Sequence, residues 1–252
     1  MTLACWSGSF FPGRALFGWI TIGLTLLFLF CCNVDPSPRI LIFSKTAGHR
    51  HACIPAATDA LRQLCREHGY LPRDTENAAE LDAENLKHYN VVVFLCTSGN
   101  VLDAAQQSAL EQFIRKGGGL AGIHSAADTE YDWPIFGQII GARFKDHSNI
   151  LPAQLRVVDT QHPATCHLPT SWSRTDEWYN FTAVQPNLQV LLRIDETSYS
   201  GGSMGENHPM AWCQPFGNGR VFYTALGHTE ASYAEPAFLN HLLGGIQYAA
   251  GR

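Results

Sequence analysis

Apolar and polar positions alternate in two rhythms from residue 39 onward. Short unbroken apolar bursts fall at 39–44 (Arg-Ile-Leu-Ile-Phe-Ser), 91–96 (Val-Val-Val-Phe-Leu-Cys) and 120–123 (Leu-Ala-Gly-Ile). They are too short for helices and are bounded by turn residues, so they read as parallel strands covered on both faces. Between them the period changes to 3.6. Ile54, Ala57, Leu61, Leu64 and Cys65 form one stripe of a helix over 54–68 that Gly69 ends, and a helical pattern over 103–116 stops at Gly117, as helices do where a residue tolerant of left-handed backbone follows the last turn. A weaker strand over 70–74 and a short helix over 81–88 fill the intervals.

The second half continues with a helix over 135–143 and strands over 150–159 and 188–194. Two further strands, 210–216 and 220–226, flank Gly217-Asn218-Gly219, a tight hairpin signal. A last helix over 236–249 turns Phe238, Leu242, Leu243, Ile246 and Tyr248 toward the sheet. Strands alternating with helices imply right-handed crossovers, hence an α/β fold with a mostly parallel central sheet and helices on both faces. The functional site of such a sheet lies beyond the carboxyl ends of its strands.

Composition narrows the classes of function. The chain has 252 residues and a formal charge of −5, with no Lys/Arg cluster to neutralise phosphates, so nucleic-acid binding is not expected. The apolar run over 15–30, preceded by Arg14 and followed by Cys31-Cys32-Asn33 and a Pro-containing linker, has the make-up of a signal segment and falls short of a comfortable membrane span. Residues 1–37 are therefore expected to be a signal peptide or lipoprotein leader plus linker, with Cys31 or Cys32 as a possible acylation site. The functional domain is expected over 38–252, exported to the periplasm or held at the membrane only through that leader or lipid. Oligomeric state is left open by the sequence.

The other cysteines, Cys5 in the leader and Cys53, Cys65, Cys96, Cys166 and Cys213 beyond it, include no C-x-x-C pair. Zinc-ribbon and thioredoxin-type readings fail, and the five beyond the leader, an odd and well-spaced set, do not describe a disulfide framework. They read mostly as small buried apolar residues.

Two strand ends present histidine in similar settings, Gly122-Ile123-His124-Ser125 and Gly227-His228-Thr229-Glu230. A histidine at a strand tip can be a metal ligand, a proton carrier or a hydrogen-bonding loop closure. His49 and His51, at the exit of the first strand, form a third polar tip on the same edge if the sheet is parallel, or else a solvated His-rich loop. Asp146 and His147 follow the 135–143 helix and could approach the same cleft, whereas His68 and His88 read as surface residues near helix ends. Asp128, Glu130 and Asp132 interleave with Tyr131 and Trp133, and Asp176, Glu177 and Trp178 repeat the combination. Acids beside aromatic rings are what sugar recognition uses; the same pattern also describes an acidic turn with a core tryptophan. Residues 198–208, ending in His208, read as a Gly/Ser-rich surface loop near the site. There is no Gly-x-Ser-x-Gly elbow, Walker loop or Gly-x-Gly-x-x-Gly after a strand, and Gly117-Gly118-Gly119 precedes its strand, the wrong order for a dinucleotide.

The succession Gly-Gly-Gly-Leu-Ala-Gly-Ile-His-Ser-Ala-Ala-Asp-Thr-Glu-Tyr-Asp-Trp-Pro from Gly117, with Arg174-Thr-Asp-Glu-Trp-Tyr-Asn-Phe, His208-Pro-Met-Ala-Trp and Arg220-Val-Phe-Tyr-Thr-Ala-Leu-Gly-His-Thr, resembles the trehalose-utilisation (ThuA-like) family from about residue 39 to the carboxyl terminus. The resemblance implies a flavodoxin-like, class I glutamine amidotransferase-like three-layer sandwich. In amidotransferases of that fold a cysteine nucleophile follows Gly-Ile, and a His-x-Glu pair lies near the end of the chain. Here His124 stands at the cysteine's position, and His228 with Glu230 on the His-x-Glu pair. An imidazole cannot form the covalent glutamyl intermediate, so glutaminase activity is not expected.

Two imidazoles and a carboxylate fit either a divalent-metal site, zinc or manganese, or a general acid/base pair. The expected catalytic core is His124, His228 and Glu230; the expected metal ligands are His124 and His228 with His49 and His51. Ser125, Asp128, Asp132, Trp133, Asp176, Glu177, Trp178 and His208 are expected to bind substrate. The resemblance supplies the substrate class, a trehalose-like disaccharide or its keto derivative, for an isomerase, lyase or hydrolase. The alternative is a non-catalytic carbohydrate-binding lipoprotein.

Overall fold

Val91–Leu95 has five apolar side chains, all buried, and such a strand is stable only with neighbours on both edges and layers on both faces. The computed structural model, which describes residues 37–252, supplies them. Most of the expected leader over 1–37 lies outside the described residues. In chain order the elements are β1 (Arg39–Phe43), α1 (Ile54–Glu67), β2 (Leu71–Thr75), α2 (Ala83–Leu86), β3 (Val91–Leu95), α3 (Ala104–Arg115), β4 (Gly119–Ile123), α4 (Pro134–Ile140), β5 (Arg143–Val157), β6 (Ser171–Thr182), β7 (Gln189–Ile194), β8 (Pro209–Phe216), β9 (Gly219–Thr224) and α5 (Pro236–Ala249).

All nine strands join one sheet in the order β2-β1-β3-β4-β9-β8-β7-β5-β6. From β2 to β9 every pairing is parallel. From β9 outward every pairing is antiparallel. The expectation of a mostly parallel sheet is therefore corrected to a mixed one. The reason lies in the connections: parallel neighbours need a crossover, commonly a helix, and no α-helix stands between β5 and β9. α1 and α5 pack against each other, as do α2 and α3; right-handed crossovers place these pairs on opposite faces of the parallel half.

Local chemistry sets the boundaries. Asp103 caps α3 by accepting the Gln106 N–H while the Gln106 side chain accepts the Asp103 N–H, satisfying two of the donors a helix start leaves open. The helix expected over 135–143 stops at Ile140 because Gly141 takes left-handed backbone, φ 100°. Arg143 already opens β5, so Asp146 and His147 stand on a strand instead of after a helix. The stretch around Asp176 and Glu177, read only as a polar cluster, is the edge strand β6.

Candidate functional site

β1, β4 and β9 run in the same direction, so the segments that leave them emerge on one edge of the sheet. Each brings one histidine. At the end of β4 the chain turns directly into a tight 3-10 turn, His124–Asp128, with His124 in left-handed backbone at φ 53°. A non-glycine residue held there costs on the order of 1–3 kcal/mol. The ring is completely buried. Its Nδ1 lies 2.8 Å from the carbonyl oxygen of Ala225, which can only accept, so Nδ1 carries the proton and Nε2 presents a lone pair.

That lone pair is the focus of the site. His51 Nε2 and His228 Nδ1 each lie 3.1 Å from His124 Nε2, and the Tyr179 hydroxyl lies 3.1 Å from the same atom. From β6, Glu177 Oε2 approaches His228 Nδ1 to 3.2 Å and His124 Nε2 to 3.6 Å. His51 Nδ1 is 3.3 Å from the Ser125 hydroxyl, so Ser125 orients the His51 ring in the way outer hydrogen bonds orient metal-binding imidazoles. One ligand atom from each of His51, His124, Glu177 and His228 falls within 4.8 Å of all the others, and no other such group of His, Cys, Asp or Glu occurs among the described residues.

The electrostatics follow from burial and crowding. Burial, reinforced by the neighbouring His124 and His228, pushes the His51 imidazole down to about 3, so it is neutral at physiological pH. Burial alone would raise the Glu177 carboxyl, but its hydrogen bonds and charge interactions with His124 and His228 outweigh that and hold it well below the usual carboxylate range. The hydrogen bond to Glu177 in turn raises His228. The result is a carboxylate and imidazole nitrogens facing a common point.

A divalent cation fits that point. Four ligands about 2.0–2.1 Å from a tetrahedral zinc would lie about 3.3 Å from one another, and the four contacts measured here run from 3.1 to 3.6 Å. Solvent reaches the cluster from the side of His228 and Glu177, whose side chains are 22% and 10% exposed while His124 is fully covered.

Of the expected ligands, His124, His228 and His51 converge, whereas His49 is exposed with its ring 4.7 Å from that of His51 and is outside the group. Glu230 is exposed at the start of the Glu230–Ala234 turn and does not join the cluster; the carboxylate there comes from Glu177, on the opposite half of the sheet. Ser125 is buried beside His51. Asp128, half-buried at the end of the His124 turn, has its carboxyl raised by burial. Asp132 is exposed and bonded to Asn100.

The other residues expected to bind substrate are buried. Asp176 is fully buried, with its carboxylate bonded to the Gly227 and His228 amides. Trp133 and Trp178 are 8% and 0% exposed. The Trp178 indole donates to the Leu151 carbonyl, so neither ring offers an open face to a sugar. His208, also fully buried, spans Glu196 and the Tyr179 carbonyl at 2.8 and 2.7 Å and fastens the 196–208 segment to β6.

One residue beside the cluster is not singled out by the sequence. Tyr179 stands in a stretch whose apolar and polar positions do not mark a strand; on β6 it shares a face with Glu177, two residues away. His147, read from the sequence as able to approach this cleft, places Nδ1 3.1 Å from Glu177 Oε1, at the half-exposed rim.

The comparisons agree with this architecture. The family described as trehalose utilisation matches residues 39–249. A ThuA-like protein from Bacteroides uniformis ATCC 8492 superposes with a TM-score of 0.73 at 26% identity, covering 87% of this chain and 95% of its own. One from Parabacteroides merdae ATCC 43184 gives 0.71 at 19%, covering 85% and 90%. A cytoplasmic protein of Salmonella typhimurium shares the fold at 13% identity and a TM-score of 0.61, covering 83% and 98%. No curated protein matches the chain. With its four converging side chains resting on a sheet that the family spans almost from end to end, the chain belongs to the trehalose-utilisation (ThuA) family.

Proposed function

We propose that this protein is an exported carbohydrate-metabolism enzyme that holds one divalent cation, zinc or manganese, through His51, His124, Glu177 and His228. Its substrate is a trehalose-like disaccharide or the keto derivative of one, and its reaction an isomerisation, elimination or hydrolysis. The observation that carries the reading is the convergence of three imidazoles and one carboxylate on a single point at the strand ends; the substrate class comes from the family. A bound divalent cation would supply Lewis acidity for a sugar carbonyl or hydroxyl.

The chain's own residues do the rest. The Ala225 carbonyl and the Ser125 hydroxyl fix the His124 and His51 rings so that nitrogen lone pairs face inward. Glu177 brings a negative charge that offsets part of a dication's charge in a mostly buried site. The Tyr179 hydroxyl, buried 3.1 Å from His124 Nε2, is placed to hydrogen-bond an oxygen of a molecule entering from the His228 side. Histidine at position 124 leaves no thiol at the β4 tip to form a glutamyl thioester, which argues against ammonia release from glutamine. The burial of Trp133 and Trp178 argues against a purely sugar-binding role for those rings.

Elemental analysis of the purified protein tests the metal, and turnover of keto-disaccharides beside their parent sugars tests the reaction class. The expected result is stoichiometric zinc or manganese that is lost in His124→Ala and His228→Ala together with turnover. A metal-free protein that still binds trehalose with both histidines removed would overturn the proposal.

A further inference from the structure

Beneath the histidine cluster lie two sulfurs that the proposed chemistry does not use. Cys53 immediately precedes α1, two residues after His51, and Cys96 follows the last residue of β3. Their Sγ atoms are 3.8 Å apart, and the two residues are 1% and 0% exposed. Each sulfur otherwise has only a long polar contact: Cys53 Sγ to the Gly227 carbonyl at 3.5 Å, Cys96 Sγ to the Tyr233 hydroxyl at 3.8 Å. The other three cysteines in the described residues, Cys65, Cys166 and Cys213, have no cysteine partner.

We propose that Cys53 and Cys96 are a redox pair that closes into a disulfide, bridging the start of α1 and the tip of β3. A disulfide has its sulfurs about 2.0 Å apart, so closure requires the facing thiols to approach by a little under 2 Å, within reach of side-chain rotation and a small shift of the 48–53 loop. Cys96 stands in left-handed backbone at φ 48°, a conformation that fixes its position as the chain leaves β3. The bridge ties down the loop that carries His51 and sits against the carbonyl of Gly227, the residue before His228. It clamps two of the four cluster residues from below.

Closure by exchange with a small disulfide balances. A Cys53 thiolate attacks one sulfur of oxidised glutathione and releases a glutathione thiolate. The Cys96 thiolate then attacks the Cys53 sulfur of the mixed disulfide, forming the Cys53–Cys96 bond and releasing the second glutathione. Two protein thiols are oxidised, one glutathione disulfide is reduced to two thiols, and these take up the two protons. Because both sulfurs are covered in the folded chain, exchange takes place while α1 is still settling onto the sheet. The proposal depends on neither the metal nor the substrate, and its test reads covalent linkage alone.

The full chain is unfolded with reductant, refolded in mixed reduced and oxidised glutathione, quenched with acid, alkylated in denaturant and mapped by mass spectrometry. The expected result is a Cys53–Cys96 linked peptide, with Cys65, Cys166 and Cys213 alkylated. The linked peptide disappears in Cys53→Ser and in Cys96→Ser. The oxidised protein melts several degrees above the same protein in reductant, and that difference is absent in both variants. Refolded protein with native circular dichroism in which Cys53 and Cys96 are both alkylated would overturn the proposal, as would pairing spread evenly over the cysteines. Should the chain not refold, the natively isolated protein is incubated with oxidised glutathione in sub-denaturing urea and mapped in the same way, with the same outcomes deciding.

Discussion

Asp176 holds His228 by its backbone: one carboxylate oxygen accepts the N–H of His228 at 3.1 Å while the other accepts that of Gly227 at 2.9 Å. The same carboxylate pairs with the buried Arg174 at 3.1 Å. A residue expected to bind substrate thus sets where one of the four cluster side chains begins.

Asp176→Asn keeps the volume but replaces one acceptor oxygen with an N–H group that faces a backbone N–H. Loss of about 2–4 kcal/mol in stability is expected from the broken buried pair, together with a roughly 10- to 100-fold loss in zinc affinity, the scale found when outer partners of metal ligands are removed. Urea unfolding and zinc titration measure the two, and unchanged zinc affinity would mean that His228 does not depend on Asp176 for its position.

Glu177 and Glu230 make a paired comparison. Glu177→Gln removes the only carboxylate of the cluster and is expected to weaken zinc binding by at least about 100-fold, more than the loss of an outer partner; Glu230→Gln, on an exposed turn, is expected to leave it unchanged. Competition with a chromogenic chelator reads both, and equal losses would return Glu230 to the site.

The pH dependence of the metal-free protein has a definite sign. His51 is lowered from 6.5 to about 3 by burial and by neighbouring histidines, so between these values the unfolded chain binds the proton that the folded chain refuses. Stability contributed by neutral His51 is therefore present above 6.5 and lost as pH falls toward 3. Between pH 7 and pH 5 the loss is about 2 kcal/mol at most. Urea unfolding in the presence of a chelator at the two pH values should show a smaller drop for His51→Asn than for the parent; equal drops would assign the acid sensitivity elsewhere, with buried His241, also lowered to about 3, the next candidate.

Gly227 is a backbone requirement. It has φ 106°, and a Cβ there would meet the Tyr233 hydroxyl at 2.8 Å and a Phe238 ring carbon at 3.0 Å. Gly227→Ala is expected to cost about 1–3 kcal/mol and to weaken zinc binding by displacing His228. Thermal melts with and without zinc check it, and a fully retained zinc-induced shift in Tm would show that the loop absorbs the strain.

The parallel half of the fold was legible because its strands are unbroken apolar runs and its helices have clear stops, as at Gly69 and Gly117. The antiparallel half was less so. β5 mixes buried and exposed positions without regular alternation over its first ten residues, with register shifts near Asp146 and His147, so its opening passed for the end of a helix. β6 alternates only over its first half and is then buried continuously from Asp176 to Phe181, which hid both its strand character and the direction of Glu177. The histidines could be read because each lies in the segment that leaves a buried strand, His124 directly at its end. The acid could not be selected, since Asp176 and Glu177 are adjacent in sequence and only the fold assigns them different tasks.

The cluster also has a consequence for assembly. His51 and His124 are 73 positions apart and His124 and His228 are 104 apart, and Glu177 comes from the sheet's far antiparallel edge. Closing such long loops is slow and entropically costly, so the four-residue cluster is complete only when nearly the whole chain has found its register. A cation held there would bind the native state and not its fragments, and would stabilise both halves of the sheet by mass action. With a cation bound, the site would act as a proofreading contact, favouring chains that have joined their first strand to their last.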